Sequence, residues 1–549
     1  MIQKKDLARH QIWLPLMLAV ALVVGILVGQ RLRSPVPAIS VKEDGTLRNR
    51  GLAQGKIEEI LRYIDVKYVD EVEREELVDK VIDNIIAELD PHSNYISAEQ
   101  LRSVNEQLEG NFEGIGVEFL VLDDTITVVS PLSGGPSEAV GILAGDKIVM
   151  IEDTIVAGVD MELSNIINRL RGEKGSEVNI GIKRTGESDL LNFTVVRDKI
   201  PVHSVDVAQM IDDETGYIKV NRFSATTYEE FMTGVEELVE KQNMKNLIID
   251  VRQNPGGYLQ QAVNMLSQLF PDKDQLLVYT EGRSVNRSEY ETTGRNFFKI
   301  NNIAVLIDEG SASASEIIAG AVQDHDRGIV IGRRSFGKGL VQEQYNLRDG
   351  SALRLTVARY YTPSGRSIQK DYSDSDAYHQ DVIQRMEAGE LSDQSKMIVE
   401  DSTEFRTSGG RVVYGGGGIT PDIFVPIDTI LLNDYYLQLR QFVPQFMFTY
   451  ADQNRDRLPK SLAEFLRTFS VDEITMESFL AYAAERDVAF KADKFEMIDA
   501  EIRRFMKARL GRLLFGDEGF YAVWTQKDRE VQKALDALQE SNPLQVLRQ

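Results

Sequence analysis

Between residues 246 and 332 short apolar runs alternate with amphipathic helices, and this alternation narrows the fold more than any other feature of the chain. The runs are "NLIIDVR" at 246–252, "IAVLID" at 303–308 and "GIVIG" at 328–332. They are too uniformly apolar to keep a wet face, so each predicts a strand buried on both sides. The intervening "YLQQAVNMLSQLF" (258–270) and "ASEIIAGAVQD" (314–324) repeat their apolar residues at helical spacing. Strand, helix, strand in succession implies right-handed crossovers and a parallel sheet, with any ligand site at the carboxyl ends of the strands. Two turns of small residues, "NPGG" (254–257) and "GSASAS" (310–315), fall at those ends.

A chain of 549 residues exceeds one core, and the pattern divides it further. Ile12 to Gly29 are 18 uncharged residues, a helix of roughly 27 Å against a bilayer core of about 30 Å. Residues 1–33 are therefore expected to be a cytoplasmic tip and an uncleaved membrane anchor. Lys4, Lys5 and Arg9 before the span argue that the N-terminus stays inside. Residues 34–50 read as a linker and 51–110 as a helical region, broken by the turn residues of "DPHSNYIS" at 90–97. From 111 to 200 the period shortens to that of strands. The order "GIGVEF", "GGPSEAVGILAGDKIVMIEDTIV", a helix, then "EKGSEVNIGIKR" resembles a PDZ domain. That resemblance implies that Gly114, Ile115, Gly116 and Val117 bind a peptide carboxylate through backbone N–H groups, beside a strand open to strand addition.

The stretch "GRRSFGKG" (332–339) falls one residue short of a phosphate-binding P-loop, because Gly339 stands where a magnesium-binding hydroxyl is needed. Strand patterning around a D-G turn follows it, so a nucleotide site is not expected. Lys338 reads better as a base. It would have to be neutral near pH 7 against an ordinary value of about 10.4, which takes roughly 4 kcal/mol from desolvation and neighbours. Phe336, Leu340 and Val341 supply an apolar setting, and Gln342 is a neutral hydrogen-bond partner four residues on. The nucleophile would be a Ser of 311, 313 or 315. An oxyanion hole can be drawn from the N–H after that Ser and from the Gly256–Gly257 pair.

"LIIDVRQNPGG", "GSASASEIIAGAVQD", "SFGKGLVQ" and "GRVVYGGGGITPD" together resemble the successive motifs of the C-terminal processing peptidases, or tail-specific proteases, over about residues 50 to 430. The resemblance implies a Ser/Lys dyad with Ser313 as nucleophile, Lys338 as base, Gln342 as its orienting partner, and oxyanion donors on Ala314 and on Gly256 or Gly257. The expected fold class is α/β multi-domain: an N-terminal transmembrane helix, a helical region, a PDZ domain inserted before an α/β serine-protease core at 201–430, and a C-terminal helical extension at 431–549. No cofactor or metal is expected; the chain has no cysteine for thiolate ligands.

Acidic residues outnumber basic ones 86 to 62, without a basic patch, which argues against nucleic acid. Expected partners are protein or peptide substrates with free C-termini, the membrane through the anchor, and a homo-oligomer or adaptor at the extension. The expected location is the inner membrane, single-pass, with the catalytic region in the periplasm or otherwise outside the membrane. The competing reading is an inactive PDZ scaffold that only binds peptide tails.

Overall fold

The computed structural model describes residues 50–132, 134–397, 403–540 and 544. The expected anchor at Ile12–Gly29 lies outside them, and among the described residues no helix is long and apolar enough to cross a membrane. Met1–Lys80 and Val81–Gln549 are two compact units. In the first, helix Arg50–Lys67 meets the start of helix Arg74–Ala87 through an ion pair between Arg74 and Asp65.

In the second unit the apolar runs form a six-stranded sheet of β1 (Val205–Met210), β2 (Thr215–Val220), β3 (Asn246–Asp250), β4 (Ile303–Ile307), β5 (Ile329–Gly332) and β6 (Ile423–Phe424), in that spatial order. Strands β2 to β6 are parallel, and β1 runs antiparallel to β2. Side chains alternate between faces, as a pleated strand requires. Leu247, Ile249, Val305, Ile307 and Val330 pack under helices α1 (Thr227–Glu236), α2 (Leu259–Leu269) and α3 (Ala314–Asp324). Ile248, Leu306, Ile329 and Ile331 face the opposite way, where the last helix, α4 (Arg529–Leu538), lays down Val531, Ala534, Ala537 and Leu538. Burying a Val or Leu stabilises about 1.5–3 kcal/mol, so α4 is a working layer of the core. α4 lies within the extension expected at 431–549 and packs on the peptidase sheet.

A hairpin of Leu340–Asn346 and Ala352–Tyr361 lies beyond the sheet ends, antiparallel in register from Leu340↔Arg359 to Asn346↔Ala352. A strand, not a helix, thus follows Lys338, and the P-loop geometry is absent. Asn94–Ile96 pairs with Arg354, Leu353 and Ala352 of the same hairpin. "DPHSNYIS", expected as a mere interruption between helices, is a turn and a strand joined to the peptidase.

The PDZ-like segment is a sheet of Val117–Leu122, Thr125–Pro131, Lys147–Ile151, Glu177–Lys183 and Leu191–Val196, with Val117–Leu122 at the edge, closed by helix Leu163–Leu170. Asn111–Gly114 pairs with Asp198–Pro201 where the chain enters and leaves it. In the extension, helices from Asp434 to Trp524 pack around Phe465, Phe479, Ile502 and Met506. The longest, Ala492–Trp524, breaks at Phe515–Gly516, where Gly516 takes a φ of 66°.

Candidate active site

The turn after β4 and the first residues of α3 carry three serines, and their surroundings separate them. Ser311 Oγ donates to the Val251 carbonyl at 2.8 Å and accepts the Asp308 N–H at 2.9 Å. Ser315 Oγ donates to the Asn254 carbonyl at 2.9 Å. Both hydroxyls hold the loop in place. Ser313 opens instead onto a cavity of about 620 Å³ shared with Gly256, Gly257, Lys338 and Gln342. Its φ of 56° and ψ of −113° lie outside the regions a side chain favours, a conformation that costs of order 1–3 kcal/mol and turns a side chain out at the head of a helix.

Lys338 Nζ donates to Gln342 Oε1 at 3.2 Å. Gln342 Nε2 in turn donates to the His92 carbonyl, which fixes the amide so that its oxygen faces the amine. Burial first, and then the Arg354 charge, push the Lys338 pKa down, with Glu316 and Asp90 pulling weakly the other way. The amine is thus desolvated and held by a neutral group, the condition for a base.

Two buried side chains frame the pair. Glu316 Oε2 accepts the Ser313 N–H at 2.8 Å and the Lys338 N–H at 2.9 Å, while Oε1 accepts Ser335 Oγ at 2.6 Å and the Gly337 N–H at 2.7 Å. Burial raises its pKa, and these four donors oppose the rise. The Tyr360 hydroxyl sits between the carbonyl oxygens of Ser313 and Lys338. Amide hydrogens and carbonyls of both residues are therefore referred to common anchors, although 25 residues of chain separate Ser313 from Lys338.

The oxyanion expectation needs one correction. The Gly256 N–H is taken by Asn254 Oδ1 at 2.8 Å, so it is not available to a substrate. Gly257 and Ala314 N–H have no acceptor among the described residues and remain the candidate donors. Gly256 acts by being small: a Cβ there would lie 2.7 Å from Ser313 Cβ and 2.9 Å from the Ala312 carbonyl. Asn254, fully buried, also donates to the Val220 carbonyl at 3.0 Å, and so locks the loop that presents Gly257.

Sequence reasoning placed turn residues at 90–97 but gave them no part in the site. Asp90 accepts the His92 and Ser93 N–H groups at 2.9 Å and Thr356 Oγ1 at 3.0 Å. Burial alone would raise its pKa, but the Ser93, His92 and Thr356 donors hold it below the ordinary value. His92 bonds the Tyr378 hydroxyl, and burial with the nearby Lys338 charge lowers its pKa to about 4, so it is neutral at pH 7. The available signal was "DPHS" itself, an Asp followed at two and three residues by N–H groups it can cap.

In the PDZ-like segment, the Ile115 carbonyl accepts Ser137 Oγ at 2.6 Å and the Gly116 carbonyl accepts the Leu132 N–H at 2.9 Å. A trans peptide points its N–H opposite its C=O, so the Gly116 and Val117 amides face away from those partners, at the start of the edge strand. Gly114 lies just before this turn, paired with Asp198. At the strand's other end, Gln445 Nε2 of the extension donates to the Val121 carbonyl at 3.3 Å.

Comparison with known proteins identifies the modules of the chain. The model of peptidase family S41 matches residues 214–378, the PDZ domain model 114–196, and a family of unknown function (DUF8443) 435–516. Carboxy-terminal processing protease CtpB of Bacillus subtilis (strain 168) is 37% identical over 324 residues, 58% of this chain and 66% of the relative. The carboxy-terminal-processing protease of Bartonella bacilliformis is 36% identical over 315 residues, 57% of this chain and 71% of the relative. Among solved structures, the photosystem II D1 C-terminal processing protease is 26% identical with a TM-score of 0.34, covering 69% of this chain and 92% of that one. The chain belongs to peptidase family S41, as a serine-type C-terminal processing peptidase with a PDZ domain.

Proposed function

We propose that this peptidase cleaves envelope proteins near their C-termini through a Ser313/Lys338 dyad, after the PDZ domain captures the free tail. The observation that carries the dyad is the Lys338 amine, buried and bonded to the neutral Gln342 amide in the cavity that Ser313 faces. Neutral Lys338 takes the Ser313 proton as Oγ attacks the peptide carbonyl. The Ala314 and Gly257 N–H groups stabilise the oxyanion. The Lys338 ammonium then returns its proton to the departing amine as the C–N bond breaks, and the acyl-enzyme remains. In deacylation Lys338 accepts a proton from water, and Ser313 recovers its hydrogen when the acid is released.

The tail specificity is supported by an edge strand that can accept one more strand and by the Gly114–Val117 turn, with its outward amides, at that strand's start. Placement in the inner membrane, with the peptidase outside, is supported by the Ile12–Gly29 run and the Lys4, Lys5 and Arg9 flank. An unstructured peptide with an apolar free C-terminus should be cut with a KM at least about tenfold lower than its C-terminally amidated twin and a similar kcat, because a lost carboxylate contact costs about 1.5–3 kcal/mol of binding. Steady-state kinetics on the two peptides checks this; equal KM values would remove the tail-capture role.

A further inference from the structure

We propose that Glu530 and Asp528, at the start of α4, are positioning residues of the peptidase site that act through Arg252 and Arg333. The proposal rests on the Ser313/Lys338 reading and gives part of the C-terminal extension a role in it.

Arg252 stands two residues beyond β3, at the root of the 253–257 loop that presents Gly257. Arg333 stands one residue beyond β5, at the root of the loop that delivers Lys338. Arg252 Nη1 lies 2.9 Å from Asp528 Oδ2 and 3.3 Å from Glu530 Oε2. Arg333 Nη1 lies 2.7 Å from Glu530 Oε1. A single carboxylate thus reaches both roots, one oxygen to each.

Behind them, Arg252 is anchored on Asp250 at 2.6 Å and Arg333 on Glu309 at 2.8 Å. The two arginine side chains are 15% and 8% exposed, so these are desolvated pairs with fixed geometry, unlike mobile surface pairs.

α4 does not need Glu530 as a seat, since Val531, Ala534, Ala537 and Leu538 already bury the helix on the sheet. What Glu530 adds is a fixed separation between the two roots. Gly257 and Lys338 ride on the loops they begin, and both must meet Ser313 within a fraction of an ångström.

The test compares Glu530→Gln with Val531→Ala in the full chain, on a tail peptide and on a fluorophosphonate that phosphonylates Ser313 with loss of fluoride. Glu530→Gln should lower kcat by about tenfold or more with KM unchanged, and should slow phosphonylation to match, because misplacement near 1 Å costs up to about 100-fold. Val531→Ala, which trims the same helix without touching an arginine, should lower Tm and leave kcat unchanged. A parental kcat in Glu530→Gln, or an equal fall in both variants, overturns the proposal. Ser313→Ala separates the levels: if it is inactive while Glu530→Gln is fully active, only the positioning role fails, and if it is active the dyad beneath it fails.

Discussion

Ser313→Ala and Lys338→Met should each lower kcat by roughly 10⁴-fold or more, the scale seen when a nucleophile or its base is removed from a serine peptidase. The two losses should not add, because the residues perform one proton transfer; the double variant should be no slower than the worse single one. Neither change should alter binding of a tail peptide, since the Gly114–Val117 turn is a separate site. Lys338→Met keeps the length and apolar stem of the side chain, so the fold should persist and the loss can be read as chemistry. Single-turnover cleavage of an unstructured peptide, with thermal unfolding beside it, provides both readings. Parental rates in both variants would reject the dyad.

Glu316→Gln should have the second largest effect. The carboxylate accepts four hydrogen bonds at two oxygens, and it is fully buried. An amide accepts at one oxygen only, and its NH2 would face two donors. Two unsatisfied buried donors cost about 2–6 kcal/mol of stability. The catalytic cost is separate: with one oxygen in place of two, residue 316 can no longer hold the Ser313 and Lys338 amides and the Ser335 and Gly337 donors at once, and a loss near 100-fold in kcat is expected from the misplacement. Chemical denaturation should show the first effect and kcat the second. If stability falls while kcat per folded molecule is unchanged, Glu316 is structural only.

The parts of this site that were legible in the sequence are those where local pattern and topology agree. Uniformly apolar strands and helical spacing placed "NPGG" and "GSASAS" at neighbouring strand ends, where the structure has them. Lys338 with Gln342 could be read because the two are only four residues apart, Lys338 just before a strand and Gln342 within it. Choosing Ser313 over Ser311 and Ser315 could not be done locally, because what separates them is contact with Val251 and Asn254, about 60 residues earlier in the chain. Gly256 and Gly257 could not be told apart as oxyanion donors, because what removes the Gly256 N–H, the Asn254 side chain, is a conformational choice that composition does not disclose. Asp90 and His92 escaped for the same reason on a longer scale: they meet Thr356 and Gln342 only after the antiparallel hairpin has formed. The extension was legible as helical, but the seat of α4 escaped because its apolar face has no meaning until the second face of the sheet is known.

The central claim is that Lys338 is a neutral amine when the enzyme works, and the pH dependence of kcat/KM tests it most directly. Its pKa is lowered by burial, and only the unprotonated form can take the Ser313 proton. Measured across a window from about pH 5 to about pH 9, activity should therefore rise with pH as the amine loses its proton and fall on acidification, along one acid limb lying below the ordinary lysine range. His92, at about 4, titrates below that window. In Gln342→Glu a carboxylate would face the amine and favour its charged form, so the limb should move to higher pH. A profile that is flat across the window, or a limb that does not move in Gln342→Glu, would contradict the account.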